Sequence, residues 1–221
     1  MTEPTGETRA VPRPTTRQVT IVIATLIVGA GILAWLITIE PGDRTFLLAT
    51  VLLAAVWTIG AFLTGRPKMG HPASRVPGRI ALPAVLGVVA GLSVIVVFVV
   101  GALIVTTIPS LRELVRSVLD HRNAGLFGVV TLTLVAGASE ELFFRGALYD
   151  VLRGRHPIVF STLIYTLTTV ATGNWMLVFA ALVLGALTGT LRYLTDGILA
   201  SVLTHCIWSA GMLLALPAVL G

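Results

Sequence analysis

Glu140, Glu141 and Arg145 lie in the stretch GASEELFFRGA, residues 137–147, whose other side chains are small or apolar. One such group at the centre of a bilayer costs roughly 2.5–3.5 kcal/mol on insertion scales, so three together need a reason. Glu141 and Arg145 stand four apart, on one helix face, and can pair. Glu140 is turned about 100° away and is left to face something else. The plainest explanation is a polar clamp that fixes helix packing. A second carboxylate without a basic neighbour of its own argues for chemistry instead, because a carboxylate removed from water is a stronger base. His71, His121 and His156 fall in loops, whereas His205 sits inside the apolar run SVLTHCIWSAG. An imidazole N–H in a low-dielectric site is a strong donor to a developing alkoxide.

These groups must be carried by membrane helices. The chain has 221 residues, 56% apolar and 11% charged, far below the charge of a soluble domain. Apolar runs begin near Val19 and at Thr45, Ile80, Leu126, Pro157, Trp175 and Ile198, which predicts an all-α, polytopic transmembrane bundle of about seven spans. The first run is longer than a signal-peptide core and lacks a small-residue cleavage site, so it reads as a retained helix. Residues 1–17 read as a disordered polar tail, 18–108 as N-terminal transmembrane helices, and 125–221 as the core that holds the charges. Between them, 109–124 places Leu111, Leu114, Val115, Val118 and Leu119 on one stripe opposite Arg112, Glu113, Arg116 and Asp120, an amphipathic helix suited to the membrane surface.

The net charge of +5 is spread over short loops, which speaks to topology and not to nucleic acid. With the N-terminus inside, Arg9, Arg13, Arg17, Arg66, Lys68, Arg75, Arg79, Arg153, Arg155 and Arg192 are internal, and only Arg44, Arg112, Arg116 and Arg122 external. That balance predicts a cytoplasmic N-terminus in a plasma membrane. A single Lys among so many Arg fits a GC-rich bacterial genome. On this topology Glu140 and His205 lie about 15 and 10 Å from the inner face, so the two can meet in one cavity. Cys206, the one cysteine, reads as a small packing residue.

EELFFR resembles the E-E-x-x-x-R signature of the CPBP intramembrane proteases, the CAAX protease/Abi family, which includes prenyl-protein endopeptidases. The resemblance runs from Leu126 to about Gly211 and takes in Gly185-x-x-x-Gly189 and His205. It implies that Glu140 activates water, that Glu141 and Arg145 hold it in place, and that His205 helps stabilise the oxyanion. It also implies a membrane-associated peptide or protein substrate. Two positions depart from the pattern. In YTLTT, Tyr165 replaces the Phe and Thr169 the His of F-x-x-x-H, and HCIWS ends in Ser209 where the family has Asn. Zinc, implied by the family's metalloprotease label, would be poorly supplied: His205 and the carboxylates are the only strong ligands, no H-E-x-x-H occurs, and a catalytic zinc usually takes three protein ligands. Two other classes remain open: a non-catalytic relative, such as a pseudoprotease or bacteriocin-immunity factor, and a small proton-coupled transporter. The single polar cluster and the lack of an inverted repeat disfavour the transporter.

Overall fold

The computed structural model describes residues 13–40, 43–70, 82–105, 107–117 and 126–220, and no strand occurs among them. The helices are α1 (Thr16–Leu36), α2 (Arg44–Thr64), α3 (Leu82–Val105), α4 (Pro109–Ser117), α5 (Leu126–Glu141), α6 (Tyr149–Val151), α7 (Pro157–Thr169), α8 (Trp175–Thr195) and α9 (Leu199–Leu220). A π-helical stretch, Leu142–Leu148, joins α5 to α6, and a 3₁₀ turn, Val170–Thr172, extends α7. Among the described residues five helices are long and apolar enough to cross a membrane: α1, α2, α3, α8 and α9. The other two expected spans differ in kind. Pro157–Thr172 is shorter, and the run through α5 changes helical pitch directly after its two glutamates. Among the described residues, five of the seven expected runs therefore have the length and hydropathy of a span, and the other two are apolar helical runs.

Polar residues set the helix starts. Thr15 and Gln18 form a reciprocal capping box at α1, so the helix begins inside the stretch expected to be a disordered tail. Asp43 caps α2 through Thr45 N at 2.8 Å, and Asn174 caps α8 through Met176 N and Leu177 N. The backbone N–H groups of Ile198 and Leu199 donate to the carbonyls of Lys68 and Met69, which ties segment 65–70 to the start of α9. Gly197 allows this, since a Cβ there would strike the Gly70 backbone.

Small residues draw the helices together. Gly29 lies against the Trp57 ring, and the Thr204 hydroxyl donates to Gly87 O at 3.0 Å, joining α9 to α3. Trp57 stacks on Phe143 with ring centroids 4.9 Å apart. Every residue from Phe143 to Tyr149 is buried, so most of the π stretch is packed inside the bundle. Large apolar side chains such as Ile27, Leu48, Val96 and Leu167 point outward instead, as lipid contact requires. The chain is a multi-pass membrane protein.

Only Pro109–Ser117 of the expected surface helix is described, and Val118, Leu119 and Asp120 lie outside the described residues. Its Val115 is buried with Ala102, Met212 and Leu216, and Leu114 O accepts a hydrogen bond from Asn174 Nδ2 at 2.9 Å. The helix α4 therefore marks one end of the bundle. Arg192, Asp150, Arg153 and Asp196 mark the other.

Candidate active site

Glu141 and Arg145 are both fully buried, with Arg145 Nη1 3.3 Å from Glu141 Oε1. The guanidinium also lies over the Tyr165 ring, 4.6 Å from its centroid, a favourable cation–π position. Among the described residues none of its nitrogens makes a hydrogen bond. The carboxylate and the ring face are what balance its charge.

Glu140 turns the other way. Its Oε2 accepts a hydrogen bond from the Tyr165 hydroxyl at 2.6 Å, a short bond typical of a charged acceptor. Tyr165 comes from α7 and is itself buried. In the sequence Tyr165 stands only as the residue in place of a Phe. The signal was present, since a hydroxyl on an apolar helix needs a partner, but spacing does not say which.

His205 bonds to Glu141 rather than to Glu140: His205 Nδ1 is 2.8 Å from Glu141 Oε1. The expected meeting of Glu140 and His205 is corrected to that extent. Both still line the same space. A cavity of about 210 Å³ is bounded by Glu140, Tyr165, Thr169, His205 and Trp208 among others. An adjoining one of about 320 Å³ is bounded by Glu140, His205, Trp208 and Ser209, and extends to Phe46 and Leu216. Their walls are otherwise mainly apolar, with Leu33, Trp57, Ala180 and Leu184 in the first and Leu47, Leu132 and Met212 in the second. Gly137 gives the imidazole its place, since a Cβ there would sit 3.1 Å from His205 Cδ2.

The site is thus built in two layers. Glu140, Tyr165 and His205 face the cavities, while Glu141 and Arg145 are buried behind them. A carboxylate only accepts hydrogen bonds, so ionised Glu141 fixes the proton of a neutral His205 on Nδ1. The other ring nitrogen, Nε2, then carries a lone pair. It becomes an N–H donor only when the ring is protonated.

Thr169 and Ser209 both line the space, but the Thr169 hydroxyl donates to Tyr165 O at 2.9 Å, a bond internal to its helix. Asn174 serves as cap and tie, as described above. His156 begins α7 in a left-handed conformation and is exposed, while His71 and His121 lie outside the described residues. The Cys206 thiol reaches Leu134 O at 3.5 Å, joining α9 to α5.

The donor set does not fit a metal. Among the described residues no three His, Cys, Asp or Glu side chains are grouped closely enough to hold one. Glu141 is already shared between Arg145 and His205.

Behind the site stands Arg192, counted from the sequence as a loop cation yet fully buried. Its Nε donates to Arg145 O at 2.9 Å, its Nη2 reaches Asp150 at 2.9 Å and its Nη1 reaches Asp196 at 3.2 Å. The carbonyl it holds belongs to the π stretch.

Residues 122–211 match the family model described as Rce1-like, type II CAAX prenyl endopeptidase. The matched segment contains Glu140, Glu141, Arg145, Tyr165, Arg192 and His205, and the match is consistent with the CPBP, or CAAX protease, family. No curated protein and no solved structure matches the chain significantly.

Proposed function

We propose that the cavity holding Glu140, Tyr165 and His205 is the active site of an intramembrane endopeptidase of the CAAX-processing type. The observation that carries this reading is the sidedness of the polar cluster. Glu140 faces a mostly apolar cavity with His205 beside it, while the ion pair that balances the local charge is sealed behind.

Glu140 is the general base. It takes a proton from a water molecule as the water oxygen bonds to the scissile carbonyl carbon, and the carbonyl oxygen becomes an alkoxide. Tyr165 O–H is the neutral donor at hand for that alkoxide, once it turns from Glu140. His205 Nε2 accepts a second hydrogen bond from the attacking water and orients it, with Glu141 holding the ring. The proton on Glu140 then passes to the amide nitrogen, the alkoxide re-forms the carbonyl as the C–N bond breaks, and a carboxylic acid and an amine leave, the acid giving up its proton to water. No metal enters these steps. The apolar walls suit a membrane-embedded or lipid-bearing peptide.

Glu140→Gln tests the reading, because it keeps shape and hydrogen-bonding capacity and removes the base. In proteoliposomes carrying a membrane-anchored peptide reporter, cleavage is expected to fall by about 10²–10⁴-fold, the usual contribution of a general base, with the thermal midpoint unchanged. Wild-type rates in this variant would remove the mechanism. A wild type that binds such peptides and cleaves none would make the protein the non-catalytic relative, with Thr169 and Ser209 marking the loss.

A further inference from the structure

At the end of the bundle opposite α4 lies a third cavity, of about 660 Å³, separate from the site above. Among the described residues, Arg13, Arg66, Lys68 and Arg153 line it, with Asp150 as the one acidic side chain. That carboxylate is already engaged by Arg153 and Arg192, each at 2.9 Å. Arg13, Arg66 and Lys68 are exposed and make no ion pair with any described residue. Three cations with no ion-pair partner among the described residues therefore line one concave space.

The placement of that space matters as much as its charge. It opens between the first residues of α1, the last of α2 and the turn closing α6, the level at which apolar helices meet water. Phe62 and Leu63 point outward just below it on α2, where acyl chains would run. Lys68 is held in place by the carbonyl ties of segment 65–70 to α9. Pro67 packs over Gly146, beside Arg145. A basic pocket between membrane helices at this level is the chemistry that takes up an anionic lipid headgroup.

We propose that this cavity binds the phosphate headgroup of an anionic phospholipid, through Arg13, Arg66 and Lys68. The inference concerns binding and stands whether or not the chain cleaves peptides.

Wild type, the Arg13→Gln/Arg66→Gln/Lys68→Gln variant and the double variant lacking only the Arg66 and Lys68 charges are placed in lipid nanodiscs. The discs hold phosphatidylcholine, alone or with a minority of phosphatidylglycerol. Arg44→Gln, which removes a cation at the opposite end, is the control. Retained lipid is read by native mass spectrometry after transfer to detergent, and thermal midpoints are read in the discs. Wild type and Arg44→Gln should retain phosphatidylglycerol over phosphatidylcholine and gain about 3 °C with it, as ligand linkage requires. The triple variant should show neither effect, and the double variant a reduced one. Equal retention by the triple variant, or no preference in wild type, overturns the proposal. Loss of the preference in Arg44→Gln as well would mean diffuse attraction and overturns the site. The same shift from millimolar inorganic phosphate in phosphatidylcholine discs would assign the cavity to free anions instead.

Discussion

Removing one oxygen atom from Tyr165 separates two jobs of that ring. Tyr165→Phe leaves the face beneath the Arg145 guanidinium but takes away the donor to Glu140. The variant is expected to fold with a stability loss of about 1.5–3 kcal/mol, the net value of a hydrogen bond to a charged group. Its peptide cleavage should drop by about 10²-fold, the effect of losing one oxyanion donor. Adding Thr169→His to that variant restores the family's Phe and His pair at a position lining the cavity, and should recover part of the rate in the same reporter assay. Glu141 and Arg145 behave differently because neither reaches the cavity. Glu141→Gln or Arg145→Ala strands a fully buried partner, a loss of about 3–5 kcal/mol. It should appear as a lowered thermal midpoint and reduced accumulation in membranes. Normal abundance in both variants would contradict the structural role.

The π stretch Leu142–Leu148 is the element on which the site turns. Widening the helix directly after Glu141 lets Phe143, Phe144 and Arg145 all be enclosed, and it leaves Arg145 O to accept from Arg192. Such turns are sparse and gather at functional sites. Arg192→Gln removes the charge that faces Asp150 and Asp196, and it is expected to speed amide exchange across 142–150 while α1 and α3 exchange as before. Uniform exchange changes along the chain would show that Arg192 supports the whole bundle and not this element. The α8–α9 turn carries a pH response. Partial burial pushes the Asp196 carboxyl up, but hydrogen bonds from Arg192 and Arg153 and both their charges outweigh it and hold the group below its ordinary value. A carboxyl held lower in the folded state contributes stability that is fully present above the unfolded value, near about 3.9. That contribution is lost as pH falls through the folded value. Acid melting curves should therefore show a loss of stability below the usual carboxylate range, and Asp196→Asn, which tolerates the same left-handed backbone, should flatten it.

At the scale of the molecule, the cavities around Glu140 run toward the α4 end, reaching Phe46 and Leu216. The opposite end gathers Arg13, Arg17, Arg66, Lys68, Arg153, Arg155 and Arg192. The excess of positive charge predicts that this end is cytoplasmic, so the cavities would open toward the outer face. In whole cells carrying a Cys206→Ala background, Glu113→Cys should react with a membrane-impermeant thiol reagent, and Arg155→Cys only after permeabilisation; the reverse pattern would invert the topology. The features legible in the amino-acid order were local. Hydropathy marked the apolar helices, and a spacing of four put Glu141 and Arg145 on one face, because helix pitch alone decides such neighbours. The polar residues Thr15, Asp43 and Asn174 carry capping chemistry wherever they stand. The tertiary structure alone decided what reaches across helices. His205 finds Glu141 from 64 residues away and Tyr165 finds Glu140 from 25. Depth along a helix follows from counting residues, but rotation about its axis does not, and one residue of rotation, about 100°, decides which of two adjacent glutamates a distant side chain meets. Arg192 reads as a loop cation for the same reason. Only packing of α8 against the π stretch could bury it.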